Sequence, residues 1–104
     1  LGLPGMLLLA AVLAPLAEEV AFRGVLFSWF RRRLSFLLAA VLQALPFGLL
    51  HIQLEHVLYA TLLGVMLALA RERGRSLWVP VAIHVVINTI AVTAIYFGIE
   101  APAS

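Results

Sequence analysis

Four long apolar runs, at residues 3–30, 34–50, 54–70 and 77–97, leave this chain few ways to fold. The last three lie within the roughly 17–25 residues that a bilayer-crossing helix needs. The first, at about 28 residues, would extend roughly 42 Å at 1.5 Å per residue, too long for one straight span. Pro15 is a natural interruption: one helix can end near Ala14 and the next can take Pro15 into its first turn. Hydrophobic residues make up 64% of the chain and charged ones 12%. Soluble domains sit near 45–50% and about 25%, so one small core cannot absorb the excess. A mean hydropathy of +1.12 agrees. The runs are continuous rather than alternating, which excludes a β-barrel. The expected fold class is all-α, a polytopic transmembrane helix bundle of about four spans with the first broken near Pro15.

The segment 3–14 lacks a basic leader and runs into further apolar sequence, so it does not read as a signal peptide. The sequence opens at Leu1 and is expected to be a single membrane-embedded core, residues 1–104, taken from a longer chain with additional upstream helices. It has no cysteine, which removes disulfides, thiolate metal sites and thiol nucleophiles.

The joints between the runs carry the orientation. All seven basic residues are arginine, and six of them sit in Arg31-Arg32-Arg33 and in the stretch Arg71-Glu72-Arg73-Gly74-Arg75. In an up-down arrangement these two loops share a side, and the positive-inside rule makes it cytoplasmic, in what is expected to be a bacterial cell membrane. The opposite end, around residues 52–55 and Glu100, carries no arginine. Trp29 and Trp78 flank the basic loops as interfacial aromatics. The net charge of +2 is therefore a topology signal, and no nucleic-acid partner is implied.

Against this background "LAEEVAFRGV", residues 16–25, stands out. Each charge at a helix centre costs about 2.5–3.5 kcal/mol on the insertion scale, so such groups persist only where they face protein or water and find partners. Glu19 and Arg23 are spaced i,i+4 with the acid first, which favours a same-face ion pair. Glu18 lies about 100° away on the helix and needs another partner. His51 closes the second run in "FGLLH"; His84 and Asn88, in "HVVIN", share one face of the fourth. Counted from the basic end, Glu18 is roughly 20 Å deep, His84 roughly 12 Å and Asn88 roughly 18 Å. His51 comes out near 25 Å, so it joins the others only through tilt or a shorter second helix, and Pro46 would allow a kink.

One carboxylate, two imidazoles and an amide suit acyl hydrolysis. The carboxylate takes a proton from water as it attacks a peptide carbonyl, then passes it to the leaving amine. The histidines position that water, or with the carboxylate hold a zinc ion that activates it. A histidine N–H and the asparagine amide can donate to the developing oxyanion. There is no HExxH motif, and Glu55-His56 has the wrong spacing for one. Glu55 and His56 read as solvated residues of the outer interface, Phe47 as packing beside His51, and Gly24, Gly48 and Gly64 as close-approach positions between helices.

"EEVAFR", "FGLLH" and "HVVIN" match the patterns EExxxR, FxxxH and HxxxN, in that order and on successive runs. The chain thereby resembles the CPBP (Abi) family of intramembrane metalloproteases, named for CAAX prenyl endopeptidases and bacteriocin-processing proteins. The likeness covers about residues 14–88, and nothing departs from the three motifs. It implies a membrane endopeptidase, a hydrolase cutting a peptide bond near the membrane surface, with a prenylated or hydrophobic peptide as substrate and lipid as surroundings. Carried over by position, Glu18 and His51 activate water while His84 and Asn88 support the oxyanion. Glu19 and Arg23 are structural or orienting. The metal expected, if one is used, is a divalent ion, zinc foremost, on Glu18, His51 and His84; a metal-independent glutamate mechanism stands beside it. Two alternatives come from other classes: a non-catalytic scaffold or immunity factor of the same fold, and a transporter or proton-relay fragment. The latter calls for internal repeats, and none is visible in the sequence.

Overall fold

A computed structural model of the chain describes residues 2–51 and 53–99, and every regular element among them is helical. Four rods succeed one another: α1 (Leu3–Arg31), α2 (Phe36–Leu49), α3 (Leu54–Gly74) and α4 (Trp78–Tyr96). Three of them, α1, α3 and α4, are long and apolar enough to cross a membrane. The bundle has its chemistry reversed relative to a soluble domain. Large aliphatics such as Leu8, Val25, Leu37, Leu62 and Ile90 face outward, while Glu19, Arg23, Gln43 and His84 are buried. Only lipid tails suit such a surface, and the chain is an integral membrane protein.

Two expectations change. First, α1 does not break at Pro15. It runs as one 29-residue rod, with right-handed helical backbone at each internal junction. The interruption survives as a change of hydrogen-bond register. Leu7–Leu13 and Val20–Leu26 are wide π-type turns, and Ala14–Glu19 between them is ordinary α-helix. Pro15 thus lies in the first turn of an α-segment, where its missing N–H costs least. The wide turn before it spares the usual clash with the carbonyl four residues back. Second, α2 is shorter than the apolar run that contains it. Ser35 caps its start, the hydroxyl accepting from the Leu38 N–H at 3.4 Å, and the helix stops at Leu49. Its 14 residues reach about 21 Å, less than the roughly 30 Å hydrocarbon core. A shorter second helix is what His51 needs to reach the depth of the other candidates.

Close packing between α2 and α3 follows from two matched rows of small residues. Ala40, Ala44 and Gly48 on α2 and Ala60, Gly64 and Ala68 on α3 recur every four residues and are all buried. Spacing of this kind lets backbones approach where lipid supplies no hydrophobic drive between helices. A Cβ on Gly48 would collide with the Thr61 hydroxyl and lie 2.9 Å from the Val57 carbonyl. One on Gly64 would meet Ala44 and Phe47 at 3.1 Å. Gly24 is different: a Cβ there makes ordinary contact, 3.4 Å from Leu77. At the arginine-rich end, Arg31 pairs with Glu72 (Nη2–Oε2 2.9 Å), so both basic loops lie at one end of the bundle. Of the arginine-free end, Ile52 and Glu100 lie outside the described residues.

Gly48→Ala should therefore destabilise the protein by about 1–3 kcal/mol through overpacking. Gly24→Ala should cost far less. Thermal unfolding of both variants in detergent, side by side, checks the ranking.

Candidate active site

α1 presents its two adjacent glutamates to different surroundings. Glu19 is wholly buried, and both its oxygens accept from Arg23: Nε at 2.7 Å on Oε1, and Nη2 on Oε2. This is the i,i+4 pair that the spacing leads one to expect. Arg23, also fully buried, donates through Nη1 to Gln43 Oε1 on α2 at 3.1 Å. The Gln43 amide nitrogen donates to the Ala40 carbonyl at 2.8 Å and to the Gly64 carbonyl on α3 at 2.9 Å. The guanidinium carbon sits 4.3 Å from the centroid of the Phe47 ring. Glu19 Oε2 additionally lies 2.7 Å from His84 Nδ1 on α4. One buried polar chain therefore touches all four helices. In the sequence Gln43 is marked only as a lone amide inside an apolar run.

Glu18 emerges on the other side of that chain. Its side chain is 36% exposed, and Oε1 faces His84 Nε2 at 3.5 Å, the outer limit of a hydrogen bond. His84 is thus held at Nδ1 by Glu19 and aimed at Glu18 with Nε2. Because a carboxylate oxygen only accepts, Nδ1 carries a proton. His51, just past the end of α2, places Nδ1 3.0 Å from the Phe47 carbonyl. That nitrogen is likewise the donor, which leaves Nε2 with a free lone pair. Phe47 packs edge-on against both imidazoles, with ring centroids 5.4 Å from His51 and 6.0 Å from His84.

Glu18, His51, His84 and Asn88 all line one cavity of about 380 Å³. Its remaining wall is mostly apolar, from Ala60 and Leu63 on α3 and Ile87, Ala91 and Ile95 on α4. His56 and Tyr59, in the first turns of α3, also border it. His56 is exposed, as expected, but it flanks the cavity rather than standing apart from it. With Ile95 in the last turn of α4, these residues set the cavity toward the end remote from the arginine loops. Asn88 carries an unforeseen bond: its Nδ2 donates to the Ala10 carbonyl on α1 at 3.0 Å.

Among the described residues, no three histidine or carboxylate groups gather as a set able to hold a metal ion. Among these residues Glu18 and His84 come together without a third such group.

If the buried chain organises this site, removing one charge should be costly. Glu19→Leu should destabilise by about 3–5 kcal/mol, because Arg23 is left buried and uncompensated. Glu19→Leu combined with Arg23→Met should lose less than Glu19→Leu alone. Chemical or thermal unfolding of the single and double variants measures the difference.

Residues 1–90 match the family described as Type II CAAX prenyl endopeptidase Rce1-like. The chain is 30% identical over 89 residues to a Bacillus subtilis (strain 168) protein named "Putative membrane peptidase YdiL", covering 86% of this chain and 36% of that one. It is 35% identical over 89 residues to an Escherichia coli protein named "Uncharacterized 24.3 kDa protein", covering 81% of this chain and 41% of that one. The chain thus spans well under half the length of these relatives. No solved structure matches it. On the family match over most of its length, the chain belongs to the Rce1-like type II CAAX prenyl endopeptidase family.

Proposed function

We propose that this protein is an intramembrane endopeptidase in which Glu18 activates water. The observation that carries the reading is the meeting of Glu18, His51, His84 and Asn88, drawn from α1, the turn after α2, and α4, around one cavity in the interior of a membrane bundle. Four polar groups converging on a partly open space inside an otherwise apolar chain suit hydrolysis better than packing.

In the first step a water molecule, oriented by the His51 Nε2 lone pair, attacks the scissile carbonyl carbon. Glu18 takes the proton that the water loses as the new C–O bond forms. The carbonyl oxygen becomes an oxyanion, and it is stabilised by the Nε2–H of His84, which donates in its imidazolium form with Nδ1–H held by Glu19, and by the free N–H of the Asn88 amide. In the second step the C–N bond breaks and Glu18 returns the proton to the departing amine. The oxyanion collapses to a carboxyl group, and Glu18 is again ionised. Glu19 contributes by fixing the His84 ring, since a carboxylate accepting from Nδ1–H sets the direction in which Nε2 points.

The apolar wall of Leu63, Ile87, Ala91 and Ile95 suits an aliphatic or prenylated segment next to the scissile bond. A hydrophobic or prenylated peptide is therefore the substrate class, and the single core of residues 1–104 supplies the catalytic groups.

Glu18→Gln keeps the shape of the side chain and removes the base. In the full-length protein, assayed on a cleavable hydrophobic reporter at matched expression, it should lower the rate about 100- to 10,000-fold. Near wild-type cleavage by this variant would sink Glu18 as the base. Equal loss in Glu18→Gln and Glu55→Gln would mean that the assay reads folding and not the cavity.

A further inference from the structure

The bond from Asn88 to Ala10 has a cause in the backbone of α1. In a regular α-helix the Ala10 carbonyl accepts from the N–H of residue 14. Here the wide turn diverts that donor, because Ala14 N–H bonds the Leu9 carbonyl five residues back. In the same wide register the next donor in line for Ala10 is residue 15. Residue 15 is proline, which has no N–H. Neither possible backbone donor reaches the Ala10 carbonyl, and the side chain of Asn88 fills the gap at 3.0 Å. In hydrocarbon no water replaces a missing donor, so the carbonyl exerts a real hold on the amide.

We propose that Pro15 is a positioning residue for the cavity: by leaving the Ala10 carbonyl without an amide partner, it captures one N–H of Asn88. That fixes the amide plane and aims its second N–H. The capture also seats α4 against α1 one turn from His84, the residue that faces Glu18. An asparagine side chain has two amide hydrogens, and holding one leaves the other with a defined direction. The catalytic part of this inference rests on the endopeptidase reading; the contact itself does not.

A double-mutant cycle with two readouts separates the two. Pro15→Ala restores a backbone N–H that can bond Ala10 in the wide register, and Pro15→Val does so while keeping three side-chain carbons at this buried position. In the full-length protein in detergent, Asn88→Ala should lower the melting temperature by about 2–8 °C on the wild-type background. On either Pro15 variant it should lower it by less than half as much, because the carbonyl is already satisfied. Additive shifts with both variants would overturn the proposed link, whether or not the protein cleaves anything. In the cleavage assay, Pro15→Val should reduce kcat about 10-fold with KM little changed, and should add nothing once Asn88 is Ala. Full kcat in Pro15→Val alongside a coupled melting shift would confine the link to packing and overturn the positioning role. No cleavage by the wild-type protein, with coupling still present in the melting data, would count against the endopeptidase reading and leave the contact standing.

Discussion

Everything else in this bundle is arranged around the buried pair of Glu19 and Arg23. Neither side chain exposes any surface, and in hydrocarbon an isolated charge of either sign would be far more costly than the apolar residues around it could offset. The pair survives because its hydrogen-bonding capacity is spread over the whole bundle. Arg23 reaches Gln43 on α2, Gln43 reaches the Gly64 carbonyl on α3, and Glu19 reaches His84 on α4. Helices with little hydrophobic reason to associate in lipid thereby acquire directional ones. The matched rows of small residues on α2 and α3 then let the backbones come close enough for Gln43 to bridge them.

Much of this was legible in the sequence, for reasons that can be named. Membrane helices announce themselves by length and apolarity, so the number of rods followed from four long apolar runs. The Glu19–Arg23 pair followed from i,i+4 spacing, and the separate direction of Glu18 from the 100° step between adjacent helical residues. What stayed hidden depended on backbone register or on tertiary partners. The wide turns in α1 have no compositional mark, and Pro15 suggested a break where the chain instead changed hydrogen-bond register. Gln43 is one amide in an apolar run, and only the three-dimensional arrangement reveals that it joins three helices. The early start expected for the second helix overlooked Ser35, a readable cap. The position of His56 beside the cavity depends on how α3 packs, which local pattern does not determine.

The two glutamates show how the same side chain acquires opposite surroundings from one helical step. Glu19 is committed: Oε1 accepts from Arg23, and Oε2 accepts from Arg23 and His84. A carboxylate so bound is a poor base but a good clamp. Glu18 has no arginine among its contacts and borders the cavity, where its oxygens can take up and release a proton. His84 is the hinge between these roles, since one nitrogen belongs to the clamp and the other to the cavity. A change at Glu19 would therefore reach Glu18 through the imidazole without any direct contact between the carboxylates.

The same division explains why α1 is wide-turned on both sides of these residues. In a strictly regular helix Pro15 would leave the Ala11 carbonyl without its amide donor. The wide turn before Pro15 leaves the Ala10 carbonyl without one, and there Asn88 supplies the donor. The ordinary α-segment Ala14–Glu19 lies between the two wide turns and carries both carboxylates. On this view the regular stretch holds the carboxylates in register. The turns on either side absorb the mismatch between a continuous membrane rod and a site that needs polar groups on two of its faces.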